Sequence, residues 1–314
     1  MDAFQDILGQ DKAVELLQQA VKLDRIAPAY LFCGSSGIGR SMAAKSFARL
    51  LLSMGLTPEK LPKVARKLAT GNHPDLLWVE PTYLSKGELY TAKQATEQGL
   101  QYKTPPKIRI EQIRNLTQFL HRPILEAKRK VVVIEDSQTM AEAPANALLK
   151  TLEEPGKATL ILIAPDADLL LSTLVSRCQR IQFYSLSEAN LKTILVNQGY
   201  QAILEYSELM AIAQGSPGKA IAAWNQLQTI PNQLLYQLKQ SIKTPLQAMQ
   251  LAQTITDELD PSTQLWLIDY LQYYYWQQNQ RSNLMHQWEK TRRYLLSYVQ
   301  PRLVWECALL SLVD

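Results

Sequence analysis

At 314 residues, with 46% apolar and 20% charged side chains, the chain can form two or three domains around sizeable cores. No apolar run approaches the roughly 18 residues that cross a bilayer, and the polar start Met1-Asp2-Ala3-Phe4-Gln5-Asp6 does not read as a signal peptide. A formal charge of +4 permits contact with nucleic acid without demanding it. Cys33, Cys178 and Cys307 are too dispersed for a closed zinc site and suit a reducing, cytoplasmic setting.

In chain order, Ile7, Ala13, Leu16, Leu17, Ala20 and Val21 predict a helix over Phe4 to Lys22. A strand over Tyr30 to Cys33, a glycine-rich turn and a helix over Met42 to Leu52 come next. Val64 to Thr70 reads as a basic helix carrying Arg66 and Lys67. His73-Pro74-Asp75 reads as a turn and Leu76 to Val79 as a buried strand. Residues 81 to 107 are polar and read as an irregular, exposed excursion. A short strand Ile108-Arg109-Ile110 and a helix over Glu111 to Arg122 are expected after it.

Lys130 to Asp136 predicts a buried strand ending in two carboxylates. A helix over Pro144 to Leu152, stopped by Pro155-Gly156, precedes a buried strand over Thr159 to Ala164. A short helix over Leu169 to Val175 and a last strand over Arg180 to Tyr184 complete the alternation. Strands alternating with helices imply a mainly parallel sheet covered on both faces. Beyond Ser185 the pattern is helical, capped at Ser187 and broken at Gly215-Ser216-Pro217-Gly218. Pro231, Pro245, Pro261 and Pro301 punctuate the rest, and Trp266 to Trp276 is rich in aromatic residues.

Three motifs carry chemistry. Gly34-Ser35-Ser36-Gly37-Ile38-Gly39-Arg40-Ser41 is nearly a P-loop, in which backbone N–H groups and a helix N-terminus cradle phosphate. A lysine normally reaches the phosphates there; Arg40 keeps the charge, but its planar head cannot replace a compact ammonium without rearrangement. Glu135-Asp136 stands where a magnesium-associated carboxylate belongs, with the usual Asp-Glu order reversed. The alternative reading is a solvated acidic strand end. Ser176-Arg177-Cys178, between a short helix and a strand, reads on its own as an arginine paired within its own chain.

Asn146-Ala147-Leu148-Leu149-Lys150-Thr151-Leu152-Glu153-Glu154-Pro155 resembles the N-A-L-L-K-x-L-E-E-P signature of bacterial clamp-loader subunits of the AAA+ class. His73-Pro74-Asp75, Ile110-Glu111-Gln112-Ile113-Arg114 and Ser176-Arg177-Cys178 fall in that family's order, and the resemblance covers about residues 5 to 184. It implies an α/β plus all-α chain: a RecA-like P-loop AAA+ domain with a parallel sheet (1–184), a helical lid (185–229) and a C-terminal helical collar (230–314). It implies that Arg177 is a finger acting on nucleotide held by a neighbouring subunit. It also implies that Gly34, Gly37, Gly39, Arg40, Ser41, Glu135 and Asp136 form a degenerate nucleotide site.

Active relatives carry a P-loop lysine, the Asp-Glu order, a polar sensor where Ala164-Pro165 stands, and a second sensor arginine where Gly218 stands beside Lys219. Their four-cysteine zinc module has no counterpart in Ser53 to Asn72. These departures imply a non-hydrolysing subunit, with ATP or ADP and magnesium the only cofactors in question and no zinc. The implied partners are gamma or tau and delta subunits and, through the complex, the sliding clamp and primed DNA, with no membrane. Two rivals stay open: an AAA+ ATPase with its own turnover, and a nucleic-acid-binding module working alone.

Overall fold

The computed structural model describes residues 3–85, 87–100, 102, 104–279, 282–297 and 299–313; the outer bounds of the expected domains, Met1 and Asp314, lie outside them. The chain divides into two compact units, Met1–Asn190 and Leu191–Asp314.

The first unit is built on a five-stranded sheet. Its strands are β1 (Ala29–Cys33), β2 (Leu76–Val79), β5 (Lys130–Ile134), β6 (Ala158–Ala164) and β7 (Gln179–Gln182). They lie in the order β2-β5-β6-β1-β7 with every pairing parallel. A hairpin of β3 (Thr82–Ser85) and β4 (Glu88–Thr91) stands apart. The helices of this unit are α1 (Asp11–Lys22), α2 (Arg40–Ser53), α3 (Leu61–Ala69), α4 (Ala92–Glu97), α5 (Ile110–His121), α6 (Glu142–Glu153) and α7 (Ser172–Val175).

A parallel sheet needs helices over both faces, so its central strands are mostly apolar, with Lys130 and Thr159 the polar positions of β5 and β6. β1, β5 and β6 are buried throughout, and their side chains sort by the two-residue period. Tyr30, Phe32, Val131, Val133, Ile161 and Ile163 join α2 in one core. Leu31, Cys33, Val132, Ile134, Leu160 and Leu162 join α5 and α6 in the other. Phe47 of α2 meets Tyr30 edge-on with centroids 5.0 Å apart. Each such fully buried side chain contributes about 1.5–3 kcal/mol.

Several local expectations change. The first helix begins at Asp11 rather than Phe4, because Gly9 takes a left-handed φ of 70°. A Cβ there would lie 2.8 Å from Leu186 and 2.5 Å from Asn190. The segment 81–107 is not irregular: it holds the hairpin and α4, which is closed by a capping box between Thr91 and Gln94. No strand forms over Ile108–Ile110. The Gln112 carboxamide instead accepts from the Arg109 N–H (3.0 Å) and donates to the Glu80 carbonyl (2.8 Å), so helix α5 starts at Ile110.

The second unit is helical, with no strand among its described residues. Helix α8 (Glu188–Asn197) leads into it, followed by α9 (Ser207–Ala213), α10 (Pro217–Gln228), α11 (Asn232–Leu238) and α12 (Pro245–Glu258). α13 (Pro261–Asn279), α14 (Ser282–Leu296) and α15 (Pro301–Leu310) complete it. One continuous core runs from Leu191 to Leu309. Much of the aromatic run serves this unit's own packing: Tyr270 is fully buried and stacks on Trp266, and the Tyr275 hydroxyl donates to the Leu238 carbonyl at 2.7 Å. Beneath it, Lys239 pairs with Glu208 at 3.1 Å and lies over the rings of Tyr270 and Tyr274.

Candidate nucleotide site and an exposed arginine

The glycine turn leaves the C-terminal end of β1 and enters α2, at the end of a parallel sheet where ligands bind. Gly34, Gly37 and Gly39 have φ of 146°, 77° and 104°, conformations that side chains resist. A Cβ on Gly34 would lie 2.5 Å from the Phe183 carbonyl oxygen and 2.8 Å from Ile38. Gly34→Ala is therefore expected to destabilise the chain by about 2–4 kcal/mol, read as a lower urea midpoint with unchanged m-value. Gly39 precedes α2 without a capping side chain, and a Cβ there would meet nothing within 4 Å. The first N–H groups of α2 thus have no capping side chain, and the positive end of the helix lies behind them.

Gln10, which sequence reasoning missed, fastens this turn. Its carboxamide is 3% exposed, donates to the carbonyls of Ile38 (3.3 Å) and Tyr184 (2.7 Å), and accepts from the Tyr184 N–H (3.1 Å). The available signal was a polar residue beside a glycine immediately before a helix.

The side chains around the turn are engaged with one another. Ser41 donates its hydroxyl to Glu135 Oε1, and the Trp78 indole N–H donates to Glu135 Oε2 at 2.8 Å. Arg40 is 5% exposed, and its Nη1 is buried without a hydrogen-bond partner. Burial lowers the Arg40 pKa, against the pull of Asp136, Cys33 and Glu135. Asp136 sits at φ 45°, accepts from the Gln138 carboxamide at 3.3 Å and offers its carbonyl to Thr139. The Gly34 N–H is committed to the Pro165 carbonyl at 3.1 Å, and Ala164 is fully buried.

These residues do not fit magnesium. The hydroxyl and carboxylate that would hold the ion are bonded to each other, and the second carboxylate oxygen is held by an indole. A buried guanidinium supplies the positive charge beside them. Turnover at this site would require an ion to break that set and to share its space with a fixed cation. Among the described residues no group of three His, Cys, Asp or Glu side chains could hold a metal.

Arg177 lies just beyond the end of α7. Its side chain is 38% exposed; Nη1 donates to the Thr173 carbonyl (3.0 Å) and Nη2 to Glu153 Oε1 (2.9 Å). Glu153 is the first glutamate of the Leu152-Glu153-Glu154-Pro155 stretch and is 53% exposed. The arginine is thus paired within its own chain, yet on the surface, where such a pair contributes about 0.2–1 kcal/mol. His73-Pro74-Asp75 has a structural part: Asp75 accepts three backbone N–H groups, from Leu125 (2.9 Å), Glu126 (2.7 Å) and Ala127 (2.8 Å).

The family described as DNA polymerase III, delta subunit, matches residues 9–187, and the one described as Cyanobacterial DNA polymerase III delta prime, C-terminal domain, matches residues 189–312. DNA polymerase III subunit delta' of Bacillus subtilis is 32% identical over 192 residues, which is 60% of this chain and 52% of that protein. Its Pseudomonas aeruginosa counterpart is 33% identical over 201 residues, 61% of this chain and 54% of that protein. The DNA polymerase III subunit gamma of Buchnera aphidicola is 26% identical over 233 residues, 72% of this chain and 58% of that protein. The chain spans about half the length of the curated relatives it matches.

Proposed function

This chain belongs to the DNA polymerase III delta-prime family, and from that premise we propose that it is a non-hydrolysing clamp-loader subunit that acts on its neighbour's nucleotide. Arg177 is the finger: an always-charged fork that can face two phosphate oxygens across a subunit boundary. The observation that carries this reading is a contrast. Arg177 stands at the surface in a pair cheap to exchange, while Ser41, Glu135, Trp78 and Arg40 occupy the chain's own site.

The neighbours would be gamma or tau subunits on one side and delta in the same arc, with residues 185–229 as lid and 230–314 as collar. The complex would work in the cytoplasm, open the sliding clamp and place it on primed DNA, held by backbone contacts that read no sequence. The rival, an ATPase with its own turnover, is disfavoured by the misfit with magnesium. Isothermal titration of the isolated chain with ATP and magnesium separates the two: the proposal expects no hydrolysis, and micromolar binding with steady phosphate release would support the rival.

Two substitutions probe the halves separately. Arg40→Ala is expected to leave clamp loading by the reconstituted complex within about twofold, because Arg40 would take no part in turnover. Glu153→Gln releases Arg177 from its partner in the chain. Because that pair is worth under about 1 kcal/mol, the ATPase of the assembled loader should change by less than about fivefold. A loss as large as that of Arg177→Ala would make Glu153 essential to the finger rather than its resting partner.

A further inference from the structure

A groove of about 940 Å³ lies in the first unit and shares Trp78 with the site described above. One wall is α2, which contributes Lys45 and Arg49; another is the start of α4, with Lys93. Its floor is the free side of β2, with Leu76 and Trp78, followed by Glu80. β2 is an outermost strand, pairing only with β5.

The hydrogen bonds show which way this edge points. Val131 N–H donates to the Asp75 carbonyl (2.9 Å) and Glu135 N–H to the Val79 carbonyl (2.8 Å), so the carbonyls of Asp75 and Val79 face β5. By the two-residue period, the N–H and C=O of Trp78 and the C=O of Leu76 point away from β5. Leu76 N–H closes the turn onto the His73 carbonyl at 3.1 Å. Among the described residues, no backbone bond from outside the sheet reaches the Trp78 N–H or C=O.

An outward donor and acceptor on one strand residue are the pair that an added strand satisfies. The charge around them selects the kind of strand. Lys45 and Arg49 are exposed, and Lys93 pairs with Glu97 at 3.9 Å, both being exposed. Glu80 is the one carboxylate on the lining. Desolvation and neighbouring Glu135 raise its pKa, against the pull of Lys45 and Lys93. Single-stranded nucleic acid fits less well: Lys45 already lies over the Trp78 ring, 5.4 Å from its centroid, and the indole N–H is held by Glu135. Stacking on that ring would require displacing the lysine.

We propose that this groove receives an extended, acidic peptide segment of a partner protein, which adds a strand to β2 and sets its carboxylates against Lys45, Arg49 and Lys93. The floor residue Trp78 is also the donor to Glu135, so the guest would lie one side chain from the closed nucleotide site. The proposal is independent of the finger role.

The test is fluorescence anisotropy of the full chain with a fluorescein-labelled heptapeptide of alternating valine and glutamate. Saturable binding is expected, weakened by about tenfold or more in a Lys45→Glu, Arg49→Glu double variant; its unfolding midpoint, checked in parallel, should hold because both side chains are exposed. Methylating every second amide nitrogen of the peptide, in either register, should weaken binding in the register whose N–H groups face β2. Four results would overturn the proposal: no saturable binding, equal binding by both methylated peptides, equal binding by the double variant, or tighter binding of oligo(dT). A concentration-dependent dimer abolished by the double variant would assign the groove to a second copy instead.

Discussion

Arg177→Ala is expected to reduce the DNA-stimulated ATPase of the reconstituted loader by about 10³-fold at the site it serves, the lower end of what such fingers contribute. The chain itself should stay folded. Its unfolding midpoint should barely move, since the lost pair with Glu153 is half-exposed and worth under about 1 kcal/mol. Arg177→Lys should recover little, because an ammonium cannot present the two parallel donors of a guanidinium. The readout is steady-state phosphate release with and without primed DNA, beside a thermal melt of the variant chain. An unchanged rate in a correctly assembled complex would remove the finger from the account.

The second large effect concerns the fold. Asp75 is fully buried and satisfies three successive backbone N–H groups of the segment leading to β5. Burial alone would raise its pKa, but the three donors outweigh it and hold the carboxyl below the ordinary range. Asp75→Ala leaves those donors without an acceptor and is expected to cost about 3–5 kcal/mol, a large share of a typical domain's stability. A group whose folded pKa is depressed stabilises fully above its unfolded value, near pH 4, and loses that contribution as pH falls through the folded value. Wild-type stability should therefore drop on the acid side of about pH 4, and Asp75→Asn should flatten that part of the profile. Urea titrations at pH 7 and pH 3 measure both.

The sheet was legible because fully apolar runs such as Val131–Ile134 and Leu160–Ala164 leave a strand little choice but burial on both faces. The glycine turn was legible because closely spaced glycines between a strand and a helix have few other uses, and the structure adds their positive φ. What sequence could not show were partnerships between distant residues. Trp78 gave no sign that it would hold Glu135, 57 positions away, nor Ser41 that it would turn to the same carboxylate. The reversed order of Glu135 and Asp136 was plain in the sequence, but the hydrogen-bond partners that Ser41 and Trp78 supply to Glu135 were not. Arg177 was found through its neighbours in sequence, but its contact with Glu153, 24 positions away, depends on where α6 ends. The excursion at 81–107 misled because short strands rich in polar residues look like loops until a partner strand and the capping Thr91 are in place. The aromatic run Trp266 to Trp276 could serve an interface or its own bundle by composition alone; the burial of Tyr270 and the Tyr275 hydrogen bond engage part of it within the unit.

The most direct measurement of the central claim is phosphate release from ATP and magnesium by the purified chain alone, then by the chain combined with gamma and delta subunits and primed DNA. The account predicts background release alone and stimulated release in the mixture that depends on Arg177 and is indifferent to Arg40. Steady release by the isolated chain, abolished by Arg40→Ala and untouched by Arg177→Ala, would contradict it.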